Sequence, residues 1–316
     1  MRTPAARGAA GRFMTVAAFA VVACAAGAAA RLEAQLVPDA HKECDACAAW
    51  NTPQAPFRIF GNTYYVGTAE LSAILIAGSG GLVLLDAALP QSAPLIDASI
   101  ASLGFRTADV RLIVTSHTHF DHVGGLAALQ RASGAVVAAS PRAAEALRDG
   151  KPNPDDPQFT IPGNDFPRVR EVRVVDDGET LTVGDVRVKA HFTPGHTPGS
   201  TSWSWRSCEE ARCVDVVYAD SLNAVSADDF RFSGSGSAPS IVDSFERSID
   251  AVEALPCDVL LSPHPGFFGM QEKLRRLEAG ETDAFVDAGA CRAYAGAARA
   301  RLRERLARER SASAGR

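Results

Sequence analysis

The sequence has no basic surplus. Its 316 residues carry 32 Lys and Arg against 37 Asp and Glu, a formal net charge of −5. A phosphate-gripping nucleic-acid face is therefore not expected. Long apolar runs are also missing. The strongest, residues 13–22, falls short of the roughly 20 residues that a membrane-spanning helix needs. No internal repeat is visible. Histidine is scarce, with seven in the chain, so any clustering of them carries weight. What is present is ordinary globular material, 47% hydrophobic and 22% charged. That suffices for one large core or two modest ones.

The charge is unevenly placed. Residues 1–34 hold four Arg and one acid, leaving 28 basic against 36 acidic residues in 35–316. A positive start (Arg2, Arg7, Arg12), an apolar stretch over 13–30 and small residues around Ala30 and Ala34 read as a secretory signal peptide. The protein is then periplasmic, with 35–316 as one catalytic domain. Val21-Val22-Ala23-Cys24 resembles a lipoprotein cleavage box, which would lipidate Cys24 and tether the chain to a membrane. Without that tether no membrane contact is expected.

Six cysteines remain beyond the signal: Cys44, Cys47, Cys208, Cys213, Cys257 and Cys291. An even number in an exported chain suggests disulfides. Cys208 and Cys213 flank a short polar loop, and Cys257 with Cys291 is the natural long-range pair. Cys44 and Cys47 form a CxxC that reads either as a local disulfide or as two thiols.

The first half alternates strand-like and helix-like segments. Strands are expected at 57–66, 71–77, 82–85, 110–114 and 135–138, with helices at 92–103 and 126–131. Residues 151–163 carry four Pro and read as a long loop. Strands follow at 172–175, 181–183, 186–192, 200–205 and 214–218. Then come a helix at 241–255, a strand at 259–262 and a closing helix at 283–308. Residues 311–316 are expected to be a disordered tail. Mixed strands and helices point to an α/β or α+β layered fold. The loops at 151–165 and 225–237 are placed to shape a pocket, and the second, rich in Ser and Gly, is expected to be mobile.

The decisive segment is Ser116-His117-Thr118-His119-Phe120-Asp121-His122-Val123-Gly124-Gly125, directly after the apolar run 111–115. Alternation points His117 and His119 the same way from an extended backbone. A turn at Asp121 and His122 aims those two at a second point. So many ligand-type side chains beside a buried strand are costly to desolvate unless a cation organises them. Imidazole and carboxylate suit zinc. His196, in Thr193-Pro194-Gly195-His196-Thr197-Pro198-Gly199, and His264, in Ser262-Pro263-His264-Pro265-Gly266, each sit in a Pro/Gly turn after a strand. His41 and His191 read as a surface residue and as a strand residue or supporting partner.

These three turns, in this order, resemble the metallo-β-lactamase superfamily over about residues 55–295. The resemblance implies an α/β fold, a four-layer αβ/βα sandwich with metals at one edge between the sheets. Asp86 resembles the superfamily's buried aspartate that supports the metal loop. Tyr218-Ala219-Asp220-Ser221-Leu222, Ala254 to Leu261 and the intact HxHxDH resemble the third subclass of the class B enzymes. That implies two zinc ions, one on His117, His119 and His196, the other on Asp121, His122 and His264. Ser221 stands where another subclass has a cysteine ligand. With Asn223, whose amide can donate, it is expected at the substrate carboxylate. Asp86 and Asp220 are expected to be structural.

The implied activity is hydrolysis of the β-lactam amide of penicillins, cephalosporins and carbapenems by a metal-bound hydroxide, conferring antibiotic resistance. Asp121 orients the water or relays its proton. The mature body has no S-x-x-K motif of the serine enzymes. The partner is thus a small-molecule β-lactam, and nothing demands more than a monomer. A lactonase or a glyoxalase-II-like thioester hydrolase of the same superfamily is the alternative, since Asp220 could imitate its bridging aspartate. A non-catalytic zinc scaffold and a redox protein built on Cys44 and Cys47 fit less.

Overall fold

The computed structural model describes residues 1–5, 36–236 and 238–314. The chain separates into two compact units, Met1–Ala34 and Gln35–Arg316. Residues 1–5 carry no regular secondary structure. The expected apolar signal stretch and Cys24 lie outside the described residues.

The second unit opens with a single helical turn, α1 (Cys47–Trp50). The strands β1 (Phe57–Phe60), β2 (Thr63–Tyr65), β3 (Ile74–Gly78) and β4 (Gly81–Leu85) follow as an antiparallel meander. Residues 57–66, expected as one strand, are thus a hairpin. Gly61, at φ +52°, makes the turn, a backbone state that glycine adopts without a steric cost. Helix α2 (Ala93–Ser102) leads to β5 (Val110–Val114). Helices α3 (Phe120–Val123) and α4 (Leu126–Ser133) lead to β6 (Val136–Ala139), and α5 (Pro141–Asp149) precedes β7 (Val172–Val174). The strands β4 to β7 are parallel. Helix α5 was not anticipated, although Ser140 caps it by accepting from Ala143 N and Pro141 opens it, both ordinary start signals.

A second sheet contains β8 (Thr180–Val183), β9 (Val186–Phe192), β10 (Thr201–Glu209) and β11 (Arg212–Tyr218), all antiparallel. Helix α6 (Val242–Ala254) crosses over to β12 (Val259–Leu261), which lies parallel to β11. Helices α7 (Met270–Glu278), also unanticipated, and α8 (Ala290–Ala314) complete the chain. Helix α8 continues through 311–314, which corrects the expected disordered tail over those positions. Among the described residues, no helix is long and apolar enough to cross a membrane.

Strand alternation builds the layers. On β4, Leu82 and Leu84 join Ile96, Leu126 and Leu147 of the helices in one core cluster. Val83 and Leu85 join Val188, Trp203 and Val216 of the second sheet in another. That second cluster continues through Val217 and Leu260 to Phe245, Ile249, Tyr294 and Ala298 of α6 and α8. The result is the four-layer αβ/βα sandwich. In β4, β5, β11 and β12 the functional turns lie at the carboxyl ends, where open sheets present their sites.

The sulfurs of Cys44 and Cys47, Cys208 and Cys213, and Cys257 and Cys291 are paired as disulfides. The last pair closes a 34-residue separation, against 5 for Cys208–Cys213. Chain-entropy arguments give about 4 kcal/mol for the long loop and about 2 kcal/mol for the short one. Replacing Cys257 and Cys291 by Ser should therefore lower the thermal midpoint more than replacing Cys208 and Cys213. Calorimetry of the two double variants checks this, and equal losses would contradict it.

Candidate metal centre

Beyond β5 the chain leaves the sheet and brings the His117 and His119 rings together, 4.9 Å apart by centroid. Helix α3 then provides the expected turn. His122 N donates to His119 O at 3.0 Å, which redirects Asp121 and His122. His196 arrives from the β9–β10 turn, 4.7 Å from His117 and 4.9 Å from His119. That turn packs so closely that a Cβ at Gly195 would lie 2.3 Å from the Phe245 ring. His264 follows β12, 4.8 Å from His122. Its turn is pinned by Ser72, which donates from Oγ to Ser262 O at 2.7 Å and from N to Pro263 O at 2.8 Å.

The six side chains form two groups, His117–His119–His196 and Asp121–His122–His264. Within each, one ligand atom per residue lies within 4.8 Å of the others. The outward nitrogens are held from behind. His117 Nδ1 lies 2.7 Å from Asp220 Oδ1, and His119 Nε2 lies 3.2 Å from Asp156 Oδ1. His196 Nδ1 donates to Asn223 O at 2.8 Å. Such partners select the tautomer that turns the other nitrogen toward a metal. Inward atoms are poorly satisfied: His117 Nε2 is buried with no hydrogen-bond partner, and His122 Nε2 has only the Asp121 carboxylate of its own ligand group nearby, at 3.1 Å. Native proteins avoid such orphans, and a bound cation is what this donor set fits.

Electrostatics agree. Burial holds the His117 pKa well below the usual imidazole value, with the neighbouring His122 adding to the effect. Burial also lowers His196 to about 3 and His264 to about 4. These rings are neutral, the form that ligates metal. Burial opposes ionisation of Asp121, but the charge of His122 beside it holds its carboxyl below the usual carboxylate range. Burial disfavours a charged His122, yet Asp121, with Oδ2 3.1 Å from its Nε2, raises it. A metal would displace that proton.

The centre opens into a cavity of about 230 Å³ lined also by Trp50, Phe120, Gln158, Asn164, Ser221, Asn223, Val225 and Phe267. Ser221 Oγ is buried without a partner. Asn223 lines the cavity, and its hydrogen bond to His196 uses the main-chain carbonyl. Asp86 and Asp220 support the centre from outside both ligand groups. His191 points away from it, to Ser204 Oγ at 2.8 Å, and His41 pairs with Glu43 on the surface. Sequence reasoning missed Trp50, Asp156 and Gln158. Asp156 lies in the Pro-rich loop, and nothing local marks it as a histidine partner. A larger cavity of about 600 Å³ lies beyond the Pro194–Pro198 turn and includes none of the six ligands.

Residues 70–264 match the metallo-beta-lactamase superfamily. Among solved structures, the Rm3 metallo-beta-lactamase is 51% identical, with a TM-score of 0.82 over 85% of this chain and 99% of that one. MEM-A1, a subclass B3 metallo-beta-lactamase from a soil metagenome library, is 46% identical, with a TM-score of 0.80 over 83% and 99%. A Burkholderia pseudomallei protein named as a metallo-hydrolase is 32% identical, covering 49% of this chain and 55% of its own length. A hydroxyacylglutathione hydrolase of Mesorhizobium japonicum is 30% identical, covering 45% of each. The chain spans about half the length of these curated relatives. The chain belongs to the metallo-beta-lactamase superfamily, a family of hydrolytic enzymes. Its solved neighbours include subclass B3 enzymes, as the motifs predicted.

Asp220→Asn keeps the size of the side chain but weakens its hold on His117 Nδ1. Metal affinity should fall about 10- to 100-fold. Competition with a chromogenic chelator measures this, and an unchanged affinity would show that Asp220 does not orient the ligand.

Proposed function

We propose that this chain is a dinuclear zinc β-lactamase that opens the amide ring of penicillins, cephalosporins and carbapenems, and so confers antibiotic resistance. The complete six-residue donor set, in two groups on this fold, carries the reading. His117, His119 and His196 hold one zinc as neutral ligands, while Asp121, His122 and His264 hold the other with one negative charge. When bound, the ions supply Lewis acidity and lower the pKa of water toward ~7.

The remaining work falls to the chain. Asp121, at the rim of the cavity, orients the attacking water and receives its proton. Ser221 Oγ is free to donate to the substrate carboxylate, and the Asn223 amide is placed to do the same. Trp50, Phe120, Val225 and Phe267 form an apolar rim that excludes water from the reacting amide. The N-terminal charge pattern and three disulfides support export to the periplasm through residues 1–34, and the protein acts as a monomer.

The hydroxyacylglutathione hydrolase relatives favour a thioester hydrolase as the second reading. Against it, Asp220 Oδ1 is engaged by His117 Nδ1 and belongs to neither ligand group. The purified protein should hydrolyse a carbapenem and a cephalosporin, lose the activity to chelator and regain it with zinc. His264→Ala should lose the second zinc and about 100-fold or more in rate, a loss of some 2.7 kcal/mol of transition-state stabilisation. Thioester turnover by a two-zinc protein inert to β-lactams would overturn the proposal.

A further inference from the structure

The loop after β11 supplies Ser221, Asn223 and Val225 to the cavity wall. One face of α8 grips this loop along its length. Tyr294 Oη donates to Asp220 O at 2.7 Å and accepts from Leu222 N at 3.0 Å, bracketing Ser221. Arg301 donates to Leu222 O at 3.2 Å while its guanidinium lies 5.1 Å from the Phe267 ring centre. Arg305 donates to Ser226 Oγ and to Phe230 O, both at 2.7 Å. Glu309 accepts from Phe232 N at 2.9 Å and from Ser233 N and Oγ at 3.0 and 2.6 Å. It also accepts from Arg305 Nε at 2.9 Å. Residues 294, 301, 305 and 309 fall on one stripe of the helix.

The stripe answers a problem that the loop poses. Val225 is exposed, and the segment from 221 to 233 belongs to no strand or helix, so beyond a few local turns such as Val225 N to Asn223 O at 2.9 Å the wall depends on contacts from outside the segment. Arg305 is suited to fixing it. It is half-buried, and its planar fork spans helix and loop, Nη2 donating to both Ser226 Oγ and Phe230 O while Nε engages the buried Glu309. It does not line the cavity.

We infer that α8 sets the substrate-binding wall, with Arg305 as a positioning residue that holds the 221–230 segment through Ser226 and Phe230. The inference rests on the proposed β-lactamase reading for its kinetic consequence. Arg305 touches neither ligand group nor the reacting amide. Its loss therefore loosens substrate binding and leaves the chemical step intact.

The test compares wild type with Arg305→Met, which removes fork and charge, and Arg305→Lys, which keeps the charge beside Glu309 and removes the fork. KM for a cephalosporin should rise about tenfold in Arg305→Met and at least about threefold in Arg305→Lys, with kcat within about twofold and two zinc ions retained. Amide hydrogen exchange over 222–233 should quicken in both. Arg305→Lys decides the matter if Arg305→Met does not fold. An unchanged KM, a fall in kcat alone or a loss of zinc would overturn the inference. If wild-type protein turns over no β-lactam, the functional reading fails first, and unaltered hydrogen exchange would then overturn this one separately.

Discussion

The Asp86 carboxylate is the constraint on which the centre depends. It ends β4 at φ +58°, a left-handed state that costs a non-glycine residue about 1 kcal/mol or more. It is fully buried, and burial raises its pKa, against the neighbouring His122 and the groups that donate to it. Four donors hold it there: Ser116 N at 2.7 Å, Ser116 Oγ at 2.6 Å, Thr115 Oγ1 at 3.0 Å and Tyr218 Oη at 2.7 Å. Ser116 and Thr115 belong to the metal loop, and Tyr218 belongs to the other sheet. One carboxyl thus joins the end of β4, the loop beyond β5 and the end of β11.

From that node the two sheets fix the ligands between them. Thr201 N donates to Ser116 O at 2.7 Å, and Trp203 Nε1 donates to Thr115 O at 3.0 Å, so β10 holds the metal loop from the opposite side. Asp220 extends β11 to His117, and Ser72 clamps the His264 turn to the first sheet. The metal loop and His117 are therefore held by groups on strand ends, while His119 and His196 are held by Asp156 and the Asn223 carbonyl on loops. This pre-organisation offsets the cost of crowding five imidazoles and a carboxylate out of water. It also leaves His117 Nε2 buried without a protein partner, an atom that a bound cation would satisfy.

The rim is assembled differently. Trp50 comes from a short helix stapled by Cys44–Cys47 and held by Thr68 Oγ1, which donates to Trp50 O at 2.6 Å. Val225 and Asn223 come from a loop braced by α8. Pro157 O accepts from Ala227 N at 2.9 Å, and Thr160 Oγ1 donates to Asp229 Oδ1 at 2.8 Å, so the two flanking loops are tied together. The two candidate ligand groups lie near sheet ends, while the cavity rim sits on loops that a rigid scaffold presents.

The ligand residues, their order and the layered class could be read from the sequence because they depend on short-range physics. Alternation aims His117 and His119 together, and Pro and Gly fix the turns at His196 and His264 within a few residues. Residues 57–66, read as one strand, proved to be a hairpin, because the turn at Gly61 interrupts a strand-like run. Helices α5 and α7 were legible but missed: α5 has its cap at Ser140 and Pro141 at its start, and α7 is built of good helix formers. Only the tertiary structure decided that Asp156 stands behind His119, that Trp50 faces His264 and that Arg305 braces the loop after β11. Those pairs are distant in the chain and meet only because two sheets stack and their helices close over them. Local periodicity carries no record of which distant side chains such stacking brings into contact.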